Sequence, residues 1–312
     1  MPEIRSKPPR RPFFGAQSWK SPAKLEADVA IIGFPHGTPY REIDNRVHEE
    51  APDYIRESIR DEPEWAGHWD FDYDGTLLAD DSVRLVDLGN LETKSADGEE
   101  NRRRIESATR AILQAGTVPL AIGGDDSVPI PFLAAYSDHG PLAVFQIDAH
   151  IDWRDERYGE HYGFSSTMRR ASEMPHVKSM VQVGMRGAGS ARRREVEDAK
   201  RWGAKHVTAR EVHKAGVQAA LAHVQPGSKC VIALDCDALD PGIMPAVAAP
   251  TPGGLTYTQL IELIGGVAAK AQIVGFSLVE FVPGRDTGNL SGLTAARILC
   301  NVVGAIGKAG KR

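Results

Sequence analysis

The segment CVIALDCDAL, residues 230–239, decides the fold of this 312-residue chain. Its first five residues are uninterruptedly apolar, which is typical of a strand buried on both faces of a parallel sheet. An acidic stretch follows at once. Comparable runs occur at DVAIIGFP (28–35), VRLVDLGN (83–90), VPLAIGG (118–124), LAVFQIDAH (142–150), VKSMVQVGMRG (177–187), AKHVTA (204–209) and QIVGFSLVEFV (272–282).

The segments between these runs have helical character, with a charged face and apolar residues three or four apart. They are NRRRIESATRAILQAG (101–116), ARRREVEDAKRWG (191–203), REVHKAGVQAALAHV (210–224) and TYTQLIELIGGVAAKA (256–271). Asn101, Thr208 and Thr256 are predicted N-caps. Alternating strands and helices predict an α/β fold with a mostly parallel sheet covered on both sides. No linker rich in Pro, Gly or Ser divides the chain, so we expect an N-terminal arm over 1–25 and a single domain over 26–312.

Composition restricts the classes of partner. The chain has 37 Lys and Arg against 42 Asp and Glu, a formal charge of −5, and this balance does not favour nucleic acid. Runs such as QIVGFSLVEFV end well before the ~20 residues of a membrane span, and the N-terminus lacks the apolar core of a secretory signal. The three cysteines form neither a disulfide framework nor a CxxC metal site. We therefore expect a cytoplasmic protein without nucleic-acid or membrane partners.

Three of the predicted strands end in acidic residues, and ligands bind beyond the carboxyl ends of strands in an open parallel sheet. The acidic residues are Asp125 and Asp126 after the first strand, Asp148 and Asp152 flanking His150 after the second, and Asp235, Asp237 and Asp240 after the third. A structural role in turns and helix caps is the alternative for any single cluster. The coincidence of three clusters favours a functional site.

Seven carboxylates at one sheet edge would repel each other unless a cation were present or several took up protons. Carboxylate oxygens with one imidazole suit Mn²⁺, Mg²⁺ or a similar divalent ion. In the D-x-H-x-D and D-x-D patterns, side chains two residues apart point the same way on an extended backbone. One ion would use few of these ligands, whereas a pair of ions would use them all.

Three segments resemble the signatures of the ureohydrolase family, which includes arginases and agmatinases: GGDDS (123–127), DAHID (148–152) and ALDCDALDPGIMPAVAAPTPGGL (233–255). GFPHGTPYR (33–41) resembles the agmatinase-like branch, and the likeness extends over about 28–300. It implies a single catalytic domain with a three-layer α/β/α fold and an eight-stranded, mostly parallel sheet of the arginase/deacetylase kind. It also implies a binuclear metal centre, usually of manganese, and a homotrimer or homohexamer.

The resemblance implies a ligand set and a reaction. Asp148 and Asp235 would bridge two ions, with Asp126 and Asp152 completing one ion and His150 and Asp237 the other. A water acidified by both cations would attack the guanidinium carbon of the substrate and release an amine and urea.

Three residues would have further catalytic roles. Asp237 would orient the nucleophile, and Glu280 would pair with the substrate guanidinium through charge-assisted hydrogen bonds. His161 corresponds to a proton-shuttling histidine that also contacts substrate, with an exposed loop histidine as the alternative.

Departures from the family pattern leave the substrate open. Asp126 replaces the usual histidine of GGDHS, AVAAP (246–250) replaces GTGTP, and the loop WRDERYGEHYG (153–163) carries charges of both signs. The leading hypothesis is a metal-dependent hydrolase of C–N bonds in linear amidines that acts on a small, agmatine-like guanidino compound. The alternatives are guanidinobutyrate, guanidinopropionate or guanidine as substrate, and a non-catalytic partner subunit. Deacylation at a single metal is disfavoured, because both ligands of a second ion, His150 and Asp237, are present.

Overall fold

A ten-stranded sheet runs through the centre of the computed structural model, which describes residues 5–18, 25–59, 63–78, 83–189 and 191–310. The strands are β1 (Ser6–Lys7), β2 (Gln17–Ser18), β3 (Val29–Gly33), β4 (Trp69–Asp70), β5 (Gly75–Thr76), β6 (Leu85–Leu91), β7 (Val118–Ile122), β8 (Leu142–Ile147), β9 (Val177–Val183), β10 (Lys205–Val207), β11 (Lys229–Asp235) and β12 (Gln272–Val279). Their order in the sheet is β1-β6-β3-β7-β12-β11-β8-β9-β10, with β2 also beside β6; β4 and β5 pair separately.

The predicted α/β sheet is confirmed, but it has ten strands within the described residues rather than the expected eight. The eight strands from β6 to β10 in the sheet order all pair in parallel. The two additional strands, β1 and β2, are two residues long and come from the N-terminal segment; β1 is the antiparallel member. Pairs this short leave almost no period-2 pattern in a sequence, which is why they escaped prediction.

Helices cover both faces of the sheet and complete the predicted three-layer architecture. Within the described residues they are α1 (Ala51–Ser58), α2 (Gly98–Gln114), α3 (Pro129–Ala134), α4 (Thr167–Ser172), α5 (Arg193–Trp202), α6 (Ala209–Ala215), α7 (Gln218–Leu221), α8 (Tyr257–Lys270) and α9 (Leu290–Gly310). Side chains alternate between faces, so Val29 and Ile31 of β3 join one core while Ala30 and Ile32 join the other. The first core contains residues of α1 and α6–α9, and the second contains residues of α2–α5.

Two of the three predicted N-caps are confirmed. Thr208 and Thr256 each accept the N–H of the residue three positions on, and both complete a capping box. The prediction for Asn101 is wrong, because the N-cap of α2 is Asp97, whose Oδ1 accepts the N–H of Glu100 at 3.3 Å. Asn101 lies inside the helix, and its amide is held by backbone atoms of Gly37 and Lys94.

A buried ion pair fastens α1 and the N-terminal segment to the sheet. The guanidinium of Arg56 donates to both carboxylate oxygens of Asp87 on β6, at 2.8 and 2.9 Å, and neither side chain is more than 1% exposed. Asp87 also accepts the N–H of Phe13, whose ring is buried with that of Phe14. The N-terminal segment is thus packed into the protein where it is described; residues 1–4 and 19–24 of the predicted arm lie outside the described residues.

The C-terminal helix α9 is long and apolar. Its stretch Leu290–Lys308 has a mean hydropathy of 1.4, which by length and composition alone is sufficient for a membrane span. However, 72% of the stretch is buried inside the protein. The apolar character of α9 is therefore accounted for by its packing against α8 and the sheet.

Candidate metal centre

The strand register brings the acidic strand ends together. Leu234 of β11 pairs with Ile147 of β8, so the next residues, Asp235 and Asp148, lie at the same level of neighbouring strands. Asp235 itself pairs with Val279 of β12, and Glu280 follows at the next position. Since all these strands run in parallel, their side chains meet at one edge of the sheet, as the sequence predicted.

Two glycines after β7 direct Asp125 and Asp126 to the same edge. Gly123 and Gly124 have φ values of +91° and +74°, in the left-handed region that side chains disfavour. A Cβ atom on Gly124 would also come within 2.7 Å of the carbonyl oxygen of Phe34. The turn therefore requires glycine at this position, and the chain leaves it with Asp126 facing the other carboxylates.

The six predicted ligands, which we call the ligand cluster, are Asp126, Asp148, His150, Asp152, Asp235 and Asp237. Two groups of three bring ligand atoms within 4.8 Å of one another: Asp126 with Asp148 and Asp152, and Asp148 with His150 and Asp237. Asp148 belongs to both groups. The imidazole Nδ1 of His150 is 3.1 Å from Asp237 Oδ2 and 3.5 Å from Asp148 Oδ1. Asp235 is buried beside them and its Oδ1 accepts the N–H of Asp237 at 2.7 Å.

The electrostatics of the ligand cluster favour a cation. Burial, reinforced by neighbouring carboxylates, raises the pKa values of Asp126, Asp152 and Asp235 well above the usual range. Burial opposes a charge on His150, yet Asp148 and Asp237 raise the pKa of its imidazole to about 12. Among the described residues, the buried Oδ2 of Asp126 has no hydrogen-bond partner. A hard divalent cation fits this set of carboxylate oxygens and one imidazole, and it would relieve both the repulsion and the unpartnered oxygen.

Glu280 and His48 adjoin the ligand cluster. The Oε1 atom of Glu280 accepts the N–H of Asp126 at 2.9 Å, and its Oε2 atom is 3.4 Å from Nε2 of His48. Nδ1 of His48 is in turn 3.0 Å from the carbonyl oxygen of Phe281. Burial raises the pKa of Glu280 to about 7 although the charge of His48 acts in the opposite direction. Sequence analysis missed His48, because no motif surrounds it and its partners are distant in the chain.

The backbone is strained at two of these residues. Asp152 has a φ of +42° and Glu280 a φ of +64°, and neither is glycine. Such conformations cost of order 1 kcal/mol or more each and persist only where the surroundings impose them. Here the conformation turns both carboxylates toward the cluster as their chains leave the strands.

Other polar residues hold the loops around the cluster. Among the described residues, the Arg186 guanidinium donates to five backbone carbonyls, those of Gly184, Asp237, Ala238, Leu239 and Thr251. Two of the seven carboxylates noted in the sequence lie outside the cluster. Asp125 accepts from Asn45 and from the N–H of Ser127, each at 2.9 Å, and Asp240 accepts the N–H groups of Gly242, Gly253 and Gly254.

Many of the charges in the loop 153–163 have partners in the loop itself or in neighbouring segments. Asp155 pairs with Arg170 at 2.7 Å, and the guanidinium of Arg157 lies 5.6 Å from the centre of the Tyr40 ring. Glu156 and Glu160 accept backbone N–H groups of the same loop. His161 is exposed, with Nδ1 3.0 Å from the carbonyl oxygen of Asp155. The structure therefore brings the ligand cluster and Glu280 together but leaves His161 on the loop surface.

A parallel α/β sheet that carries a carboxylate-rich ligand cluster at the ends of its strands defines an α/β protein with a candidate site for divalent cations. The chain belongs to the arginase family, whose model matches residues 27–304, and the hydrolases of this family act on guanidino C–N bonds. The predicted family resemblance is thereby confirmed.

Individual relatives are similar over much of their length. Guanidinobutyrase of Pseudomonas aeruginosa is 31% identical over 90% of this chain and 87% of its own length. The Homo sapiens protein "Guanidino acid hydrolase, mitochondrial" is 31% identical over 73% of this chain and 66% of its own length. Among solved structures, proclavaminate amidino hydrolase from Streptomyces clavuligerus superposes with a TM-score of 0.82 at 26% identity, over 98% of this chain and 99% of that one.

Proposed function

We propose that this protein hydrolyses a small guanidino compound to an amine and urea. The observation that carries the proposal is the position of Glu280, a buried carboxylate 2.9 Å from the backbone of Asp126 and therefore beside the ligand cluster. A planar guanidinium bound to this carboxylate would place its carbon next to the cations and water held by the ligand cluster. Reaction requires that carbon and an activated water to be held in contact.

In this proposal the six residues of the ligand cluster hold two divalent cations, most suitably Mn²⁺. Asp148 and Asp235 would be shared, Asp126 and Asp152 would complete one set, and His150 and Asp237 the other. Asp148 already belongs to both groups of converging ligand atoms, which supports a shared role. When bound, the cations supply Lewis acidity that lowers the pKa of water.

The protein's own side chains supply binding and orientation. Glu280 would accept hydrogen bonds from the substrate guanidinium and fix its plane. Asp237, whose Oδ1 is held by the N–H of Ala149 at 3.1 Å, would orient the attacking water. Water adds to the guanidinium carbon, the bond from carbon to the substituted nitrogen breaks, and that nitrogen leaves as a protonated amine while the carbon departs in urea. His161 would carry protons between the site and solvent.

The substrate is proposed to be agmatine-like, with guanidino acids and guanidine as alternatives. Guanidinobutyrase of Pseudomonas aeruginosa, at 31% identity, supports the guanidino-acid alternative, and N(1)-aminopropylagmatine ureohydrolase of Thermus thermophilus, at 32% identity, supports the agmatine-like substrate. A non-catalytic partner subunit is the remaining candidate, because Asp126 replaces the histidine of the family pattern GGDHS. We further propose a cytoplasmic homotrimer or homohexamer in which residues 26–312 are the catalytic domain and residues 1–25 an N-terminal arm, whose described residues pack against that domain.

One experiment separates these candidates. The purified protein is loaded with Mn²⁺, its metal content is measured, and urea release is assayed with agmatine, guanidinobutyrate, guanidinopropionate and guanidine. Release of urea from one or more compounds, at two ions per chain, supports the proposed function. Two bound ions with no urea from any compound would favour the partner-subunit candidate instead.

A further inference from the structure

A hydrogen-bonded series of side chains runs beneath the ligand cluster, from the edge of the sheet toward its centre. Its members are His206 on β10, Gln182 on β9 and Gln146 on β8, which are three neighbouring strands. Gln146 is 1% exposed and Gln182 is 0% exposed. Buried amides are costly unless the protein satisfies their hydrogen bonds, so a series of this kind is retained only where it has partners.

At its inner end, the series donates hydrogen bonds to two carboxylates of the ligand cluster. The amide Nε2 of Gln146 donates to Asp148 Oδ2 at 2.7 Å and to Asp152 Oδ2 at 2.8 Å. Both N–H groups of this amide are thereby used. Gln146 precedes Asp148 by two residues on an extended strand, so the two side chains point the same way.

The outer members determine which way the Gln146 amide faces. Its Oε1 accepts from Nε2 of Gln182, which also donates to the carbonyl oxygen of Ile151 at 2.9 Å. Oε1 of Gln182 lies 3.0 Å from Nε2 of His206, which must therefore carry a proton. Reversal of either amide would set oxygen against oxygen. Each residue in the series thus fixes the orientation of the next.

We propose that Gln146 is a positioning residue for metal binding, and that Gln182 and His206 hold it in its donating orientation. By binding one oxygen of Asp148 and one of Asp152, Gln146 fixes both carboxylates so that their remaining oxygens face the cation. A neutral donor suits this place, because a lysine or arginine would repel the cation. The inference rests on the proposed function only in treating Asp148 and Asp152 as metal ligands.

The test measures Mn²⁺ affinity of the metal-free protein by titration calorimetry, without any turnover. Gln146→Met removes both donors at similar volume, and we expect the affinity to fall about 10- to 100-fold, as for other outer partners of metal ligands. Gln146→Glu keeps the shape but places an anionic acceptor against two carboxylates, so its affinity should fall at least as far. The exposed Gln225→Met is the matched control and should bind Mn²⁺ like the unmodified protein.

Two results would overturn the proposal: an unchanged Mn²⁺ affinity in Gln146→Met, or a tighter one. The second would mean that the amide competes with the cation for these oxygens. If Gln146→Met fails to fold, the half-buried His206 provides the test, because His206→Gln keeps an N–H donor and His206→Phe removes it. Of these two variants, only His206→Phe should bind Mn²⁺ several-fold more weakly than the unmodified protein. Equal Mn²⁺ affinities of His206→Phe and His206→Gln would overturn the proposal. Mn²⁺ binding without urea release would refute the proposed function and leave this inference intact.

Discussion

Replacing Glu280 with glutamine removes one charge and one acceptor from the proposed guanidinium site. In the protein, Oε1 of Glu280 accepts the N–H of Asp126, and only an oxygen can take that place. The glutamine carbonyl is therefore held there, and the amide nitrogen occupies the position of Oε2 near His48. A guanidinium has only donors, so it meets a donor where it previously met an acceptor.

The magnitude follows from the loss of one arm of this contact. A hydrogen bond to a charged group contributes about 1.5–3 kcal/mol. At about 1.4 kcal/mol per factor of ten, kcat/KM for urea release should fall roughly 10- to 150-fold. Metal content should not change, because Glu280 donates no atom to either group of ligands. Folding should be retained, since burial already penalises the charged form of this carboxyl and raises its pKa to about 7.

The assay compares urea release and metal content in Glu280→Gln, the unmodified protein and Glu262→Gln, an exposed control on α8. Unchanged kcat/KM at full metal content would refute the role of Glu280 in guanidinium binding. Loss of metal from Glu280→Gln would refute it as well, because the carboxylate would then act through the ligand cluster.

Three further predictions concern the ligand cluster and the sheet. Five aspartates against two divalent ions leave a net charge of −1, and Asp126→His should bring this sum to zero. The variant should therefore change its preference among metals and release urea from a lower pH, whereas an unchanged metal preference and pH profile would contradict this charge argument. Mn²⁺ affinity should rise with pH, because the cation must displace protons from groups whose pKa values are raised: Asp126, Asp152 and His150, the last to about 12. A calorimetric Mn²⁺ affinity that does not depend on pH would exclude this competition. Arg56→Met should lower the free energy of unfolding by about 3–5 kcal/mol, since it leaves the buried Asp87 without its cationic partner. A decrease of less than about 1 kcal/mol, measured by denaturant unfolding, would argue against a stabilising role for this ion pair.

Most of the ligand cluster was predictable because its members are close neighbours in sequence. The DAHID and DCD patterns follow buried strands directly, so the parallel sheet alone places them at one edge. Gln146 also leaves a signal, as a polar residue inside the apolar run before Asp148, but that run by itself predicts only a strand. A buried amide on the same face as a ligand is the feature that identifies it.

His48 could not be predicted in this way. It lies in a short 3-10 helix, Asn45–His48, and reaches Glu280 through the packing of segments far apart in the chain. The error at Asn101 has a similar origin, because tertiary contacts with the Gly37 carbonyl determine what that amide binds. Local patterns specify which residues end a strand, whereas long-range packing specifies what those residues then touch.

The order of strands in the sheet has a consequence for how the protein is made. β7 and β8 are consecutive in the chain, yet β12 and β11 lie between them, and β12 is the last strand to leave the ribosome. During synthesis β3, β6 and β7 can pair, but Asp126 and Asp148 cannot approach until residues near 280 have emerged. Pairings between such distant segments form late. The complete ligand cluster, which draws on residues at or after the ends of β7, β8 and β11, can therefore form only once β11 and β12 have joined the sheet.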